Sequence, residues 1–241
     1  MKIEEFLGEN IIEKYKDILP ILYHILYRTQ VWGRDGVNPF DGFLENDDYY
    51  KNNLRLNLTY HLRMFYKKYL ILDKKNRKHS SVLMSESLFR IGKYDELIKK
   101  LADSKQVVRF CSVYNVDEWR KEVTHKFIPL KVERSITGGK LKTIIFQIYD
   151  KVTELINHGE NCVNNQSIIQ LFDKLQYEAS VRIHQLSKLL KEYRVKKFIT
   201  LNQNNIADIL ILLACKKLNI ATVLYLHHEV LYNRTKIKNN D

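Results

Sequence analysis

The most constraining stretch lies near the C-terminus, where Phe198-Ile199-Thr200-Leu201 is followed by the polar run Asn202-Gln203-Asn204-Asn205. Next come Ile206 to Leu218, apolar on almost every side, and then Thr222-Val223-Leu224-Tyr225-Leu226. Two short apolar runs separated by a helical pattern, within about thirty residues, predict a βαβ unit with parallel strands and a right-handed crossover. An Asn at the entry of the middle segment suits a helix N-cap, and Asn219 suits its end. A helix apolar around its circumference has to be buried, so the unit needs a sheet and further layers.

The same alternation extends backward. Ser81-Val82-Leu83-Met84 and Val107 to Val113 read as strands, and Phe127-Ile128-Pro129-Leu130 as a third whose Pro129 argues for an edge or strand end. Helices are expected around Tyr94 to Leu101, around Trp119, and over 140–157 and 166–193. In the last of these, Ile168, Phe172, Leu175, Ala179, Ile183, Leu186 and Leu190 recur at steps of three or four. The fold class expected for 79–241 is α/β, a doubly wound, mostly parallel, Rossmann-like sheet. Residues 1–78 form a helical N-terminal region, with Pro20 splitting its first stretch into two helices and a loop over 33–48. A further helix is expected from Tyr49 to Leu72.

Hydrophobic residues are 45% of the 241, enough for a sizeable core, and no run approaches a membrane span. No signal peptide opens the chain, and Cys111, Cys162 and Cys215 are far apart with no CxxC, which points to a reducing, cytoplasmic setting. The net charge is +12, unevenly spread: −5 over residues 1–50, +8 over 51–80 and +9 beyond. A basic stretch from Arg55 to Lys75, interleaved with Tyr60, Phe65, Tyr66 and Tyr69, suits the anionic inner face of a membrane or nucleic acid. Lysines solvated on the outer face of a packed helix would give the same pattern.

In a parallel sheet, ligands bind beyond the C-terminal strand ends. That rule selects Ser85, Glu86 and Ser87 after the first strand, Asn202 and Asn204 after the fourth, and His227, His228 and Glu229 after the fifth. A glutamate and histidines around one crevice can supply a general base and hydrogen-bonding groups for hydroxyls or phosphates. Ordinary loop polarity remains the alternative, and Asn204 also fits a helix cap. Neighbours in a strand point to opposite faces, which argues against His227-His228-Glu229 as a metal site. Gly138-Gly139-Lys140 lacks the first glycine of a phosphate loop and has Leu141 in the Ser/Thr position, so it reads as a turn before a helix. GxGxxG and GxSxG are absent.

The C-terminal unit resembles the end of the N-terminal, acceptor-side domain of bacterial GT-B glycosyltransferases of surface-polysaccharide biosynthesis. In that family the buried helix closes A-K-K-L-G-I and the next strand closes Q-H-G. Here the corresponding residues are Ala214-Cys215-Lys216-Lys217-Leu218-Asn219-Ile220 and Leu226-His227-His228-Glu229. His228 matches the family histidine, while His227 stands for its glutamine and Glu229 for its glycine. Val82-Leu83-Met84-Ser85 with Tyr94-Asp95-Glu96-Leu97 is similar to the first strand and helix, and the resemblance covers about residues 80–230. It implies transfer of a sugar from a nucleotide-sugar substrate to a cell-surface glycan or lipid-linked acceptor, without a cofactor. Glu86 or His228 would be the catalytic base; Ser85, Ser87, Asn202, Asn204, His227 and Glu229 would bind substrate. It also implies a donor-binding domain or subunit beyond this chain. A non-catalytic basic module for nucleic acid or anionic membrane is the competing expectation.

Overall fold

The computed structural model describes residues 3–32, 74–85, 100, 107–112, 127–131, 139–163, 165–200 and 206–224. Helices α1 (Ile3–Leu7), α2 (Glu9–Lys14) and α3 (Leu19–Trp32) precede β1 (Ser81–Met84), β2 (Val107–Ser112) and β3 (Phe127–Lys131). Then follow α4 (Gly139–His158), α5 (Gln166–Glu192), β4 (Val195–Thr200), α6 (Ile206–Lys217) and β5 (Ala221–Leu224). The five strands form one parallel sheet in the order β3-β2-β1-β4-β5. Chain direction across the sheet therefore reverses between β1 and β4. The protein is α/β, and the expected strands and the long helices over 139–158 and 166–192 are present. Helices on both faces, the doubly wound arrangement, depend in part on segments 86–99 and 113–126, which lie outside the described residues, as does the helix expected over 49–72.

Pro129 sits in β3, which among the described residues is an edge strand with β2 as its neighbour, where its missing N–H costs no central ladder bond. The helix ends are equally local in origin. Asn165 caps α5 by accepting from the Ile168 amide at 3.3 Å. At the end of α6, Asn219 takes a left-handed conformation, φ 55°. Its amide donates to the Lys216 carbonyl and that of Ile220 to the Cys215 carbonyl, closing a Schellman motif.

Pro20 behaves differently from expectation. It lies in the first turn of α3, where its absent N–H is no loss, and the helical stretch is divided instead at Gly8 and at residues 15–18. Gly8 has φ 77°, and a Cβ there would stand 2.7 Å from Val163 Cγ2, so the α1–α2 corner presses on the loop after α4. The Cys162 amide donates to the Phe6 carbonyl across the same contact, at 3.0 Å.

One continuous core runs from the N-terminal helices through α4, α5 and α6 to Leu83, Leu130 and Phe198 of the sheet. Its seam on α5 is the heptad-like row read from the sequence, and every residue of that row is buried. Val82, Met84, Val108 and Ile199 are also buried but lie outside that cluster, as side-chain alternation along a strand requires. The N-terminal helices are fastened to α5 by polar contacts. Tyr15 donates its hydroxyl to Asp173 Oδ1 at 2.7 Å, stacks edge-on with Phe172, and Lys14 pairs with the same carboxylate at 2.8 Å.

Candidate functional site

The reversal between β1 and β4 places the C-terminal ends of those two strands side by side, the position where a parallel sheet opens a crevice. The ladder there continues one residue past β1: the Ser85 amide donates to the Ile199 carbonyl at 2.9 Å. Ser85 is fully buried, so this expected substrate contact is seated within the sheet edge. Beside it, Thr200 closes β4 with its hydroxyl donating to Asp208 Oδ2 at 3.0 Å, and both residues are buried.

Asp208 lies in the first turn of α6, where unpaired helix amides and the helix dipole favour a carboxylate. A buried hydrogen bond thus ties the last residue of β4 to the first turn of α6. The sequence reading did not select Asp208 or Thr200. The available signal was an acidic residue interrupting the otherwise apolar run from Ile206 to Cys215, one that a buried helix keeps only with a partner.

Glu86, Ser87, Asn202, Asn204, His227, His228 and Glu229 lie outside the described residues, as do residues 55–73 of the basic segment, whose last two residues, Lys74 and Lys75, are described and exposed. The last described residues before those segments, Ser85, Thr200 and Leu224, share the C-terminal edge of the sheet because the strands are parallel.

The opposite, N-terminal edge carries a different polar cluster. The Tyr193 ring meets the Arg109 guanidinium at 4.3 Å and that of Arg77 at 5.2 Å, and Arg77 also pairs with Glu192 at 2.9 Å. Arg109 is fully buried in β2, its charge facing an aromatic π-surface. Ser81 donates its hydroxyl to the Tyr193 carbonyl at 2.7 Å, completing a buried connection between β1 and the turn into β4. These contacts brace the sheet rather than open onto a crevice.

Burial pushes the thiols of Cys162 and Cys215 up to about 12, which makes them poor nucleophiles at neutral pH. Among the described residues no group of three metal-ligating side chains converges, and no helix is long and apolar enough to cross a membrane. No protein-family model matches the chain, and neither a curated protein nor a solved structure matches it.

Proposed function

We propose that residues 79–241 form the Rossmann-like acceptor-side half of a GT-B glycosyltransferase acting on a cell-surface glycan or a lipid-linked acceptor. The observation that carries the reading is the parallel strand order 3-2-1-4-5, with its reversal at the ends of β1 and β4. It is joined there by the buried Thr200–Asp208 pair. Doubly wound sheets of this order bind substrates at that reversal. The resemblance of Ala214 to His228 to the family's closing motif supports the same reading. Glu86 and His228 are the groups it assigns to general-base catalysis. The acceptor hydroxyl gives its proton to the base, its oxygen bonds to the anomeric carbon, and the nucleotide leaves with the electrons of the broken C–O bond. Ser85, Ser87, Asn202, Asn204, His227 and Glu229 are assigned to acceptor binding. A donor-binding domain or subunit completes the reaction. The enzyme works in the cytoplasm, held at the inner membrane face by Arg55 to Lys75.

Saturation-transfer NMR of the full chain against oligosaccharide acceptors, nucleotide sugars and RNA tests this. Glycan signals that disappear in Glu86→Gln and His228→Ala support it. RNA binding that weakens steeply with salt, beside no glycan response, overturns it in favour of a basic binding module.

A further inference from the structure

The N-terminal edge of the sheet, where β1 and β4 begin, gathers positive charge from two distant parts of the chain. Residues 74–80 and 191–197 lie side by side there because Ser81 pairs with Val195. The two segments are laced together. Arg194 donates from Nη1 to the Lys78 carbonyl at 2.8 Å, and Arg77 reaches Glu192 at 2.9 Å and the Tyr193 hydroxyl at 3.2 Å. Eight of these fourteen residues are Lys or Arg, against 40 of 241 in the whole chain, and Glu192 is the one carboxylate among them. A lysine-rich background does not account for that concentration.

Two backbone features turn the charge outward. The β1–β4 register passes from Ser81–Val195 to Val82–Lys197, so Lys196 is an extra, bulged residue without a ladder partner. A bulge re-aims side chains, and Lys196 and Lys197 are both exposed although neighbours in a regular strand alternate. Arg194 takes φ 50°, the left-handed conformation that Asn219 takes at the end of α6. A long charged side chain thus stands where Gly or Asn is the easier residue. Lys74, Lys75, Lys78 and Lys191 are exposed as well, and the ion pairs among the described residues involve none of these six lysines.

The kind of charge narrows the partner. The guanidiniums of Arg77 and Arg194 already make contacts within the chain, and the ring beside them, Tyr193, is buried. Recognition of bases calls for free Arg forks or exposed rings on which bases stack. What remains is a set of ammonium groups on long stems, a spread charge that suits a fluid layer of anionic headgroups. We propose that this edge docks the protein on an anionic lipid surface. It lies opposite the crevice at the C-terminal ends of β1 and β4, which then opens away from the bilayer. The contact is separate from residues 55–73 and does not depend on glycosyl transfer, so either reading can fail without the other.

Co-sedimentation of the full chain with vesicles of phosphatidylglycerol and phosphatidylcholine in equal parts, and of phosphatidylcholine alone, tests it. Each lysine within a Debye length of an anionic surface contributes about fivefold to binding at about 0.1 M salt. The triple variant Lys78→Gln, Lys196→Gln, Lys197→Gln should therefore bind the anionic vesicles at least about tenfold more weakly. The triple variant Lys16→Gln, Lys140→Gln, Lys174→Gln makes the same charge change elsewhere on the surface and should alter binding less than about twofold. In the unsubstituted chain, anionic vesicles should protect Lys78, Lys196 and Lys197 from acetylation while Lys140 and Lys174 react as before. That reading does not depend on how a variant folds. No binding to anionic vesicles, equal binding to neutral ones, equal effects of the two triple variants, or unprotected Lys78, Lys196 and Lys197 overturns the proposal. Affinity for an oligoribonucleotide that falls in the first variant, beside unchanged vesicle binding, overturns it in favour of a nucleic-acid surface.

Discussion

β1 and β5 flank the same strand, β4, run parallel to it and have the same length, yet they occupy opposite environments. All four residues of β1, Ser81-Val82-Leu83-Met84, are buried. All four of β5, Ala221-Thr222-Val223-Leu224, are exposed, with Val223 at 38% and Leu224 at 39%. Both sequences are short and apolar, and neither reports its place in the sheet. The difference comes from topology: β1 is hydrogen-bonded on both sides, by β2 and β4, whereas β5 is the edge strand among the described residues. An interior strand exchanges water for neighbours on every side; an edge strand keeps one row of backbone groups and part of both faces in solvent. The side chains of β1 are therefore committed to the core, whereas those of β5 remain in contact with solvent.

The sharpest way to break this contrast is truncation on each side of β4. Leu83→Ala removes a fully buried side chain from the core and should cost about 2–5 kcal/mol, read as a lower denaturant midpoint with an unchanged slope. A cost near that of an exposed residue would mean that β1 is not the interior strand described.

The buried face of α3 has its own signature in pH. The His24 imidazole is lowered in the folded protein from 6.5 to about 4, so the unfolded chain takes up the proton first as pH falls. Its contribution to stability is complete above pH 6.5 and is lost on acidification toward pH 4, at about 1.4 kcal/mol per pH unit. His24→Phe should flatten that part of a stability-against-pH curve, and an identical curve in the variant would sink the assignment.

At the C-terminal edge of the sheet, Thr200→Val deletes the donor to Asp208 and leaves a buried carboxyl group short of one hydrogen bond. A loss of about 1–3 kcal/mol is expected by chemical denaturation, with partial recovery in Thr200→Ser.

Tyr15→Phe, which removes one of the two polar contacts from the N-terminal helices to Asp173, should cost about 1 kcal/mol. The Lys14 ammonium, and after it the Tyr15 hydroxyl, hold the Asp173 carboxyl below its ordinary 3.8. The stability it contributes is present above that value and fades as pH falls through the lower folded one. Asp173→Asn should accordingly lower stability above that value and flatten the acid limb, leaving the most acidic points nearly unchanged. The smallest effect belongs to Val223→Ala on the exposed edge, within about 0.5 kcal/mol of the parent; a loss as large as that of Leu83→Ala would erase the contrast between the two strands.

Periodicity made much of the architecture readable. The row from Ile168 to Leu190 could be satisfied only by a long helix with one buried seam, and α5 spans it. Pro129 indicated an edge strand because its ring removes a donor that a central strand would need. Pro20 was misread for a related reason: the same missing donor is harmless in the first turn of a helix, and sequence alone did not locate that turn. Asp208 and Thr200 were overlooked because their pairing joins a strand to a helix across eight positions, and neither residue is distinctive by itself. Of the residues selected at strand ends, Ser85 lies among those described and is built into the ladder.

By itself, then, the sequence determined elements among the described residues: the five strands, the long helices α4, α5 and α6, the end of α6 at Asn219, and which face of α5 is apolar. These follow from interactions within a few residues, where side-chain spacing, caps and backbone preferences act directly. Only the tertiary structure decided the order β3-β2-β1-β4-β5, the burial of Arg109 against Tyr193, and the packing around α3 that buries His24 Nε2 without a hydrogen-bond partner among the described residues. Those depend on residues distant in the chain meeting in space, and a local pattern such as that of β1 or β5 is the same whichever neighbour the fold supplies.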